Sequence, residues 1–328
     1  MKEIFPGIIG NEGIKKLFSE GNPAHAYIIE GPEGSGKHTI ARQLCASMVC
    51  ENRASETFPL PCGVCPSCRK ILNSMSVDCL TVSGGSRSGS IGVESVRSIR
   101  QSLYVAPNDG DRKFYIIEDA HRMTEQAQNA LLLSLEEPPG FVSFFLLCES
   151  SLGILETIRS RAPVIKTELF PPEFIAAHLE KKFGSGHTEK IERISRICGG
   201  SIGRAESLFD SSGDESKLRA CAVSFTEALL LGKKSDACVF VSSGMPQQRG
   251  DVAEVLRLCR FIIRDMIAAK KNEALIFFSK NEMFPAEALK RVTVRKLLAA
   301  EDGITKAESD ISSNCAVNTV LISLVMHV

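Results

Sequence analysis

The chain reads as an α/β protein built on a phosphate-loop parallel sheet, with helices alone in its second half. Three observations predict this: an apolar run feeding a Gly-rich loop and then a helix, further short apolar runs alternating with helical patterns, and the disappearance of strand signals after about Thr167. The run Ala26-Tyr27-Ile28-Ile29 predicts a buried strand, and Thr39–Val49 predicts the helix that leaves the loop. Between them stands Gly31-Pro32-Glu33-Gly34-Ser35-Gly36-Lys37-His38. Its Gly-x-x-x-x-Gly-Lys spacing lets backbone N–H groups and one ammonium wrap phosphates at a helix start, where the helix dipole also favours negative charge. Gly31, Gly34, Gly36, Lys37, His38 and Thr39 are therefore candidate nucleotide contacts.

The loop departs from its pattern at one position. A Ser or Thr after the lysine normally gives Mg²⁺ a hydroxyl ligand, but His38 stands there and Thr39 is one place too late. Imidazole suits softer metals than Mg²⁺. The expectation is a degenerate site that takes ATP or ADP, if any nucleotide, with Mg²⁺ poorly held. The plainer alternative is an inert relic of such a loop.

Further strands are expected at Cys79–Val82, Phe114–Ile117, Val142–Leu147 and Val164–Ile165, with a helix carrying Val93, Val96, Ile99 and Leu103 on one face. Phe114–Ile117 runs into Glu118-Asp119, where phosphate-loop ATPases usually carry an Asp for the metal and then a Glu that polarises water. The order is swapped here, which displaces each carboxylate by one methylene. An acidic turn opening the next helix is the other reading of the same pair. Thr124 predicts a helix cap, Ala127, Leu131 and Leu135 share that helix's face, and Pro138-Pro139 stops it. The Gly/Ser-rich stretch Ser83–Ser90 predicts a mobile loop.

Composition bounds the function classes. The 328 residues suffice for two or three domains, and 44% hydrophobic with 24% charged residues describe an ordinary globular chain. Its 39 basic and 39 acidic residues leave no net charge at neutral pH, so no global field draws it onto nucleic acid or anionic lipid. Apolar runs are too short for a membrane span and no leader pattern is evident, so a cytoplasmic location and no membrane partner are expected.

Twelve cysteines without a secretion signal predict reduced thiols and a metal site rather than disulfides. Cys62-Gly63-Val64-Cys65-Pro66-Ser67-Cys68 places three thiolates at the spacing that converges on tetrahedral Zn²⁺, and Cys50 is the expected fourth ligand, with Cys45 or Cys79 as substitutes. Four thiolates close the coordination sphere, so the zinc would be structural, in a module of about residues 45–79. A redox dithiol or simply buried thiols are the alternatives. Cys148, Cys198, Cys221, Cys238, Cys259 and Cys315 lie in apolar patterns and are expected to be small core residues.

Beyond Thr167, helical periodicity is interrupted by polar breaks at Gly184–Gly186, Gly199-Gly200 and Ser211–Asp214. Val252, Val255, Leu256, Cys259, Ile262, Ile263 and Met266 form a wide apolar stripe that predicts core or a subunit interface, and a polar stretch separates it from a final apolar helix.

Taken together, the motifs resemble a bacterial clamp-loader subunit of the AAA+ class, over residues 1 to about 210 and only loosely beyond. The resemblance rests on His25-Ala26-Tyr27, the four-cysteine module, Asn129-Ala130-Leu131-Leu132, Leu135-Glu136-Glu137-Pro138-Pro139 and Ile158-Arg159-Ser160-Arg161. It implies an AAA+ domain with an inserted zinc module over residues 1–167, a small helical lid over 168–210 and an all-α collar over 211–328. In that family a Ser-Arg-Cys motif supplies an arginine finger to ATP held by a neighbouring subunit. It is similar to Ser160-Arg161-Ala162 here, which makes Arg161 the expected finger and Arg159 the competing candidate. Gly200-Ser201-Ile202-Gly203-Arg204 is similar to the family's second sensor, which would place Arg204 near phosphates.

Two subunit classes of the family carry the zinc module. Lys37-His38, Glu118-Asp119 and the start Ile4-Phe5-Pro6-Gly7-Ile8-Ile9-Gly10 resemble the delta-prime class more than the gamma/tau motor class, whose loop ends in Lys-Thr or Lys-Ser. The resemblance implies a non-hydrolysing subunit of the DNA polymerase III clamp loader, partnered by gamma/tau and delta subunits and, through the assembly, by the sliding clamp and primer–template DNA. A gamma/tau-like motor ATPase and a stand-alone nucleotide-binding regulator are the alternatives.

Overall fold

The computed structural model describes residues 3–20, 24–84, 90–210, 214–271, 275, 286–312 and 315–328. Most of the expected Ser83–Ser90 loop and most of the Ser211–Asp214 break lie outside these, as does nearly all of the polar stretch before the last helices. The chain packs as two units, Met1–Phe170 with Ser201–Arg204, and Pro171–Gly200 with Ala205–Val328.

In the first unit the elements run α1 (Glu12–Glu20), β1 (Ala26–Glu30), α2 (Lys37–Met48), α3 (Pro66–Leu72), β2 (Cys79–Val82), α4 (Val93–Leu103), β3 (Lys113–Ile117), α5 (Glu125–Glu136), β4 (Val142–Cys148), α6 (Glu156–Arg159) and β5 (Val164–Lys166). The five strands form one parallel sheet in the order β2-β3-β4-β1-β5. Each expected strand is present, extended by at most one residue at an end. The three helices of this unit missing from the sequence reading, α1, α3 and α6, are short and lack a long apolar period.

Side chains alternate between the two faces of a strand, and here both faces are covered. Tyr27, Ile29, Phe114, Ile116, Phe145 and Leu147 join one core with α1, α2 and the cysteine module. Ala26, Ile28, Tyr115, Ile117, Phe144 and Leu146 join the other, with α4 and α5. That double burial is why these strands read as continuous apolar runs. Thr124 caps α5 as expected, its side chain accepting from the Ala127 N–H at 3.2 Å.

β1 stands between β4 and β5, whereas its successor β2 lies at the far edge of the sheet. The chain leaves β1 where the winding direction changes, and in open parallel sheets ligands bind outside the carboxyl ends of strands at such a point. The loop Gly31–Gly36, Glu118-Asp119 after β3 and Glu149 after β4 all emerge there.

The remaining helices are α7 (Pro172–Phe183), α8 (Thr188–Ile197), α9 (Ile202–Asp210), α10 (Asp214–Leu231), α11 (Lys234–Ser243), α12 (Arg249–Lys271), α13 (Ala286–Arg291), α14 (Val294–Ser312) and α15 (Val317–His327). All seven residues of the stripe from Val252 to Met266 are buried in the core of the second unit, with Phe225 of α10, Leu297 and Ile304 of α14 and Leu321 of α15. The stripe is intramolecular core, so it is not a free interface. Cys148, Cys198 and Cys259 are buried as expected, but Cys221 and Cys238 are only partly covered and Cys315 is exposed.

Candidate nucleotide site and cysteine cluster

Two glycines of the loop adopt the left-handed conformation that an L side chain resists, Gly34 at φ 73° and Gly36 at φ 86°. Gly34 has a second reason. A Cβ there would lie 2.5 Å from the Arg204 backbone nitrogen, because Ser201–Arg204 sits directly on the loop: Ser201 Oγ donates to the Glu33 carbonyl at 2.9 Å and the Gly203 N–H to the Gly34 carbonyl at 3.0 Å. Gly34→Ala is therefore expected to lose about 1–3 kcal/mol in denaturant unfolding. Gly13→Ala, in α1 with open space around the added methyl, should be neutral or stabilising.

Lys37 opens α2, is buried, and donates from Nζ to the carbonyls of Gly31 at 2.6 Å and Pro32 at 2.8 Å. Burial pushes its pKa down, opposed by the carboxylates of Glu149 and Asp119. A cleft of about 590 Å³ opens beside it, walled by Gly34, Gly36, His38 and Thr39 on one side and Asp119, Arg122 and Glu149 on the other, with Gly203 above the loop. The volume is in the range of small-ligand sites. The expected contacts Gly34, Gly36, Lys37, His38, Thr39 and Asp119 are thus brought to one cleft. Gly31 is buried beneath the loop, where a Cβ would meet Thr167 Oγ1, and Arg204 meets the loop through its backbone.

The two departures from the motif meet each other. His38 Nδ1 lies 3.2 Å from Glu118 Oε1, both side chains being partly exposed. Asp119 follows at φ 48°, a conformation Asp tolerates, and turns the chain away from the sheet. Arg122 and Glu149 are part of this region without having been singled out by sequence, whereas Ser201 was read only as part of the Gly200–Arg204 motif. Arg122 and Glu149 sit after strand ends, the one signal that would have found them.

Arg161 follows the single turn of α6. Its Nη1 donates to the Thr157 carbonyl at 2.9 Å and its Nη2 pairs with Glu136 Oε1 at 2.8 Å, leaving 36% of the side chain exposed. The Leu135–Pro139 and Ile158–Arg161 motifs, read separately in the sequence, are therefore one contact. Buried Gln128 holds the approach to α6, donating to the Met123 and Gly153 carbonyls and accepting from the Leu155 N–H at 2.8 Å. Arg159 has a buried Nε without a hydrogen-bond partner.

On one face of the sheet, the Sγ atoms of Cys50, Cys62, Cys65 and Cys68 lie within 4.8 Å of one another, all four residues buried. Cys62 and Cys68 Sγ are 3.9 Å apart, close to the ~3.8 Å edge of a tetrahedron with Zn–S bonds of ~2.3 Å. Gly63, at φ 70°, turns the chain between Cys62 and Cys65, and Cys65 caps α3 while Pro66 begins it. Three donors face the sulfurs: the Cys65 N–H and Asn52 Nδ2 on Cys62, and the Cys68 N–H on Cys65, each at 3.4 Å. Burial pushes the Cys62 thiol up, but the hydrogen bonds outweigh it and bring it down to about 6. Burial raises Cys50 and Cys68. Donor set and spacing fit a closed structural Zn²⁺ site. Cys45 and Cys79 lie outside the cluster and share a hydrogen bond with each other.

Comparison with known proteins follows the same line. The family model described as DNA polymerase III, delta subunit, matches residues 11–170. Residues 11–170 are thus similar to the clamp-loader AAA+ family. The DNA polymerase III gamma subunit of Buchnera aphidicola subsp. Schizaphis graminum is 33% identical over 241 residues, covering 71% of this chain and 65% of that protein. The tau subunit of Escherichia coli K12 is 32% identical over 223 residues, 65% of this chain and 34% of that protein. The tau subunit of Bacillus subtilis 168 is 28% identical over 320 residues, 87% of this chain and 55% of that protein. This chain thus spans roughly one to two thirds of these relatives' lengths. Among solved structures, a gamma subunit-related protein of Thermotoga maritima superposes with a TM-score of 0.48 at 18% identity, covering 96% and 97% of the two chains. Among the described residues no helix is long and apolar enough to cross a membrane.

Proposed function

We propose that this chain is a non-hydrolysing, delta-prime-like subunit of a DNA polymerase III clamp loader, which presents Arg161 to ATP held by a neighbouring motor subunit. The observation that carries the reading is the combination of a loop whose metal-binding hydroxyl is replaced by His38, itself paired with Glu118, and a retained, partly exposed arginine at the end of α6. The family model's description supports a delta-type subunit. Gamma/tau and delta subunits would be the direct partners, with the sliding clamp and primer–template DNA reached through the assembly, in the cytoplasm. Residues 168–210 would serve as lid and 211–328 as collar, and the collar's core of α10, α12, α14 and α15 would leave its outer faces for the other subunits.

In this reading the cleft holds ATP or ADP, with Lys37 and the loop N–H groups on the phosphates. Arg161 is held ready by Glu136 until an adjacent phosphate competes for the guanidinium, whose planar fork suits either anion. Cys50, Cys62, Cys65 and Cys68 hold Zn²⁺, which stiffens the first domain. Asn52→Ala removes a donor to a ligating sulfur and should weaken zinc by roughly 10- to 100-fold in competition with a chelator, without changing the ligands.

A second reading, a gamma/tau-like motor, is favoured by the names of the sequence relatives. Reconstitution separates the two: a motor turns over ATP alone and fails as Lys37→Ala, whereas the proposed subunit tolerates Lys37→Ala and fails as Arg161→Ala.

A further inference from the structure

Phosphate-loop ATPases carry Mg²⁺ against the residue after the lysine and a carboxylate that follows another strand of the same sheet. Here those two positions are His38 and Glu118. Mg²⁺ demands oxygen ligands in near-octahedral geometry, and imidazole is a poor substitute. One Glu118 carboxylate oxygen is 3.2 Å from the imidazole Nδ1, so a cation drawn to that carboxylate competes with His38 for it. Asp119 lines the cleft but stands one residue past the strand-end position, on a left-handed backbone at φ 48°. These residues do not fit Mg²⁺.

We infer that His38 and Glu118 close the divalent-cation position against each other, so that the cleft binds nucleoside di- and triphosphates without gaining affinity from Mg²⁺. The inference rests on the loop being a nucleotide site. Its other elements are built for phosphate: two left-handed glycines, the N-terminus of α2 and the buried Lys37 ammonium. The charged groups lining the cleft are Glu33 on the loop, Lys37 and His38 on α2, Asp119 and Arg122 after β3, and Glu149 after β4, with Glu118 beside His38. With Glu118 turned onto His38, Lys37 and Arg122 remain to meet the phosphates while Glu33, Asp119 and Glu149 oppose them, which makes weak binding the expectation. What matters is its metal dependence.

A consequence follows for cleavage. Without a cation bridging the terminal phosphates, the charge that develops on the transferred group has no divalent counter-ion, and bound nucleotide persists. Nucleotide here would act as a structural ligand that holds the loop and Ser201–Arg204 together.

The test is calorimetric titration of the full chain with ADP and with ATP, in MgCl₂, in MnCl₂ and in EDTA, for the native sequence and for His38→Thr, with Lys37→Ala as the control that loses phosphate contact. His38 is exposed, so the substitution leaves the fold intact, as circular dichroism and melting will confirm. The expected result is native affinities within about threefold across the three solutions, and a gain of roughly tenfold or more from Mg²⁺ in His38→Thr. A comparable gain from Mg²⁺ or Mn²⁺ in the native chain overturns the closure, the Mn²⁺ case by making His38 a ligand. No heat and no melting shift with either nucleotide in any solution overturns the nucleotide reading itself, leaving the arginine role to its own assay.

Discussion

Arg161→Ala should lower DNA- and clamp-stimulated ATP hydrolysis by a reconstituted loader by about 10³-fold or more, the scale on which an arginine supplied in trans acts on phosphoryl transfer. The expectation depends on Arg161 reaching a neighbour's nucleotide. Its position at the end of a short helix, partly exposed and held by the Glu136 carboxylate, the Thr157 carbonyl and the Ser160 hydroxyl, gives it somewhere to rest and little to leave. An exposed ion pair contributes only about 0–1 kcal/mol, so exchanging Glu136 for a phosphate costs little. Arg161→Lys should recover only a small part of the rate, since an ammonium lacks the planar fork. Glu136→Gln should retain most of it, because Gln offers an acceptor but no charge. Subunit association, read by size exclusion, should be unchanged in all three. A loss of assembly in Arg161→Ala would assign the residue to the interface instead.

Removing zinc is the second large effect. All four cysteines sit inside the apolar core beneath the sheet, beside Ile71, Ile8 and Phe5. Without an ion, four buried thiols would be left where the proposed tetrahedral centre would organise the chain from Cys50 to Cys68. Structural zinc contributes about 10–16 kcal/mol of apparent binding energy in small fingers, and a domain's whole stability is about 5–15 kcal/mol. Chelation, or Cys62→Ser, is therefore expected to unfold the first unit at ordinary temperature or lower its melting point by tens of degrees. Protein purified without added metal should carry about one equivalent of zinc by atomic emission. A metal content near zero with four titratable thiols and an unchanged melting curve would remove the ion from the account.

The sheet was legible because both faces of β1, β3 and β4 are buried, so Tyr27–Ile29, Phe114–Ile117 and Val142–Leu147 carry unbroken apolar signals. α1 escaped because, over Glu12–Ser19, only Ile14 and Phe18 are buried. α3 escaped because it is two turns long and begins inside the Cys65-Pro66-Ser67-Cys68 knuckle. The cysteine spacing carried the cluster itself, yet not Asn52, whose role depends on a loop closing back onto Cys62. At the loop, sequence exposed the two departures but not their contact: nothing in the order of residues says that position 38 faces position 118. The pairing of Arg161 with Glu136 was hidden in the same way, since tertiary partners 25 positions apart leave no periodic trace. The apolar stripe of α12 was ambiguous between core and interface until α10, α14 and α15 were seen to cover it.

The central claim is that this chain serves a neighbour's ATP rather than consuming its own. Its most direct test is Mg²⁺-ATP turnover by the purified chain alone, with and without primed DNA, beside Lys37→Ala. The account predicts no turnover in the native chain above that of Lys37→Ala; turnover that Lys37→Ala abolishes would contradict it and make the chain a motor.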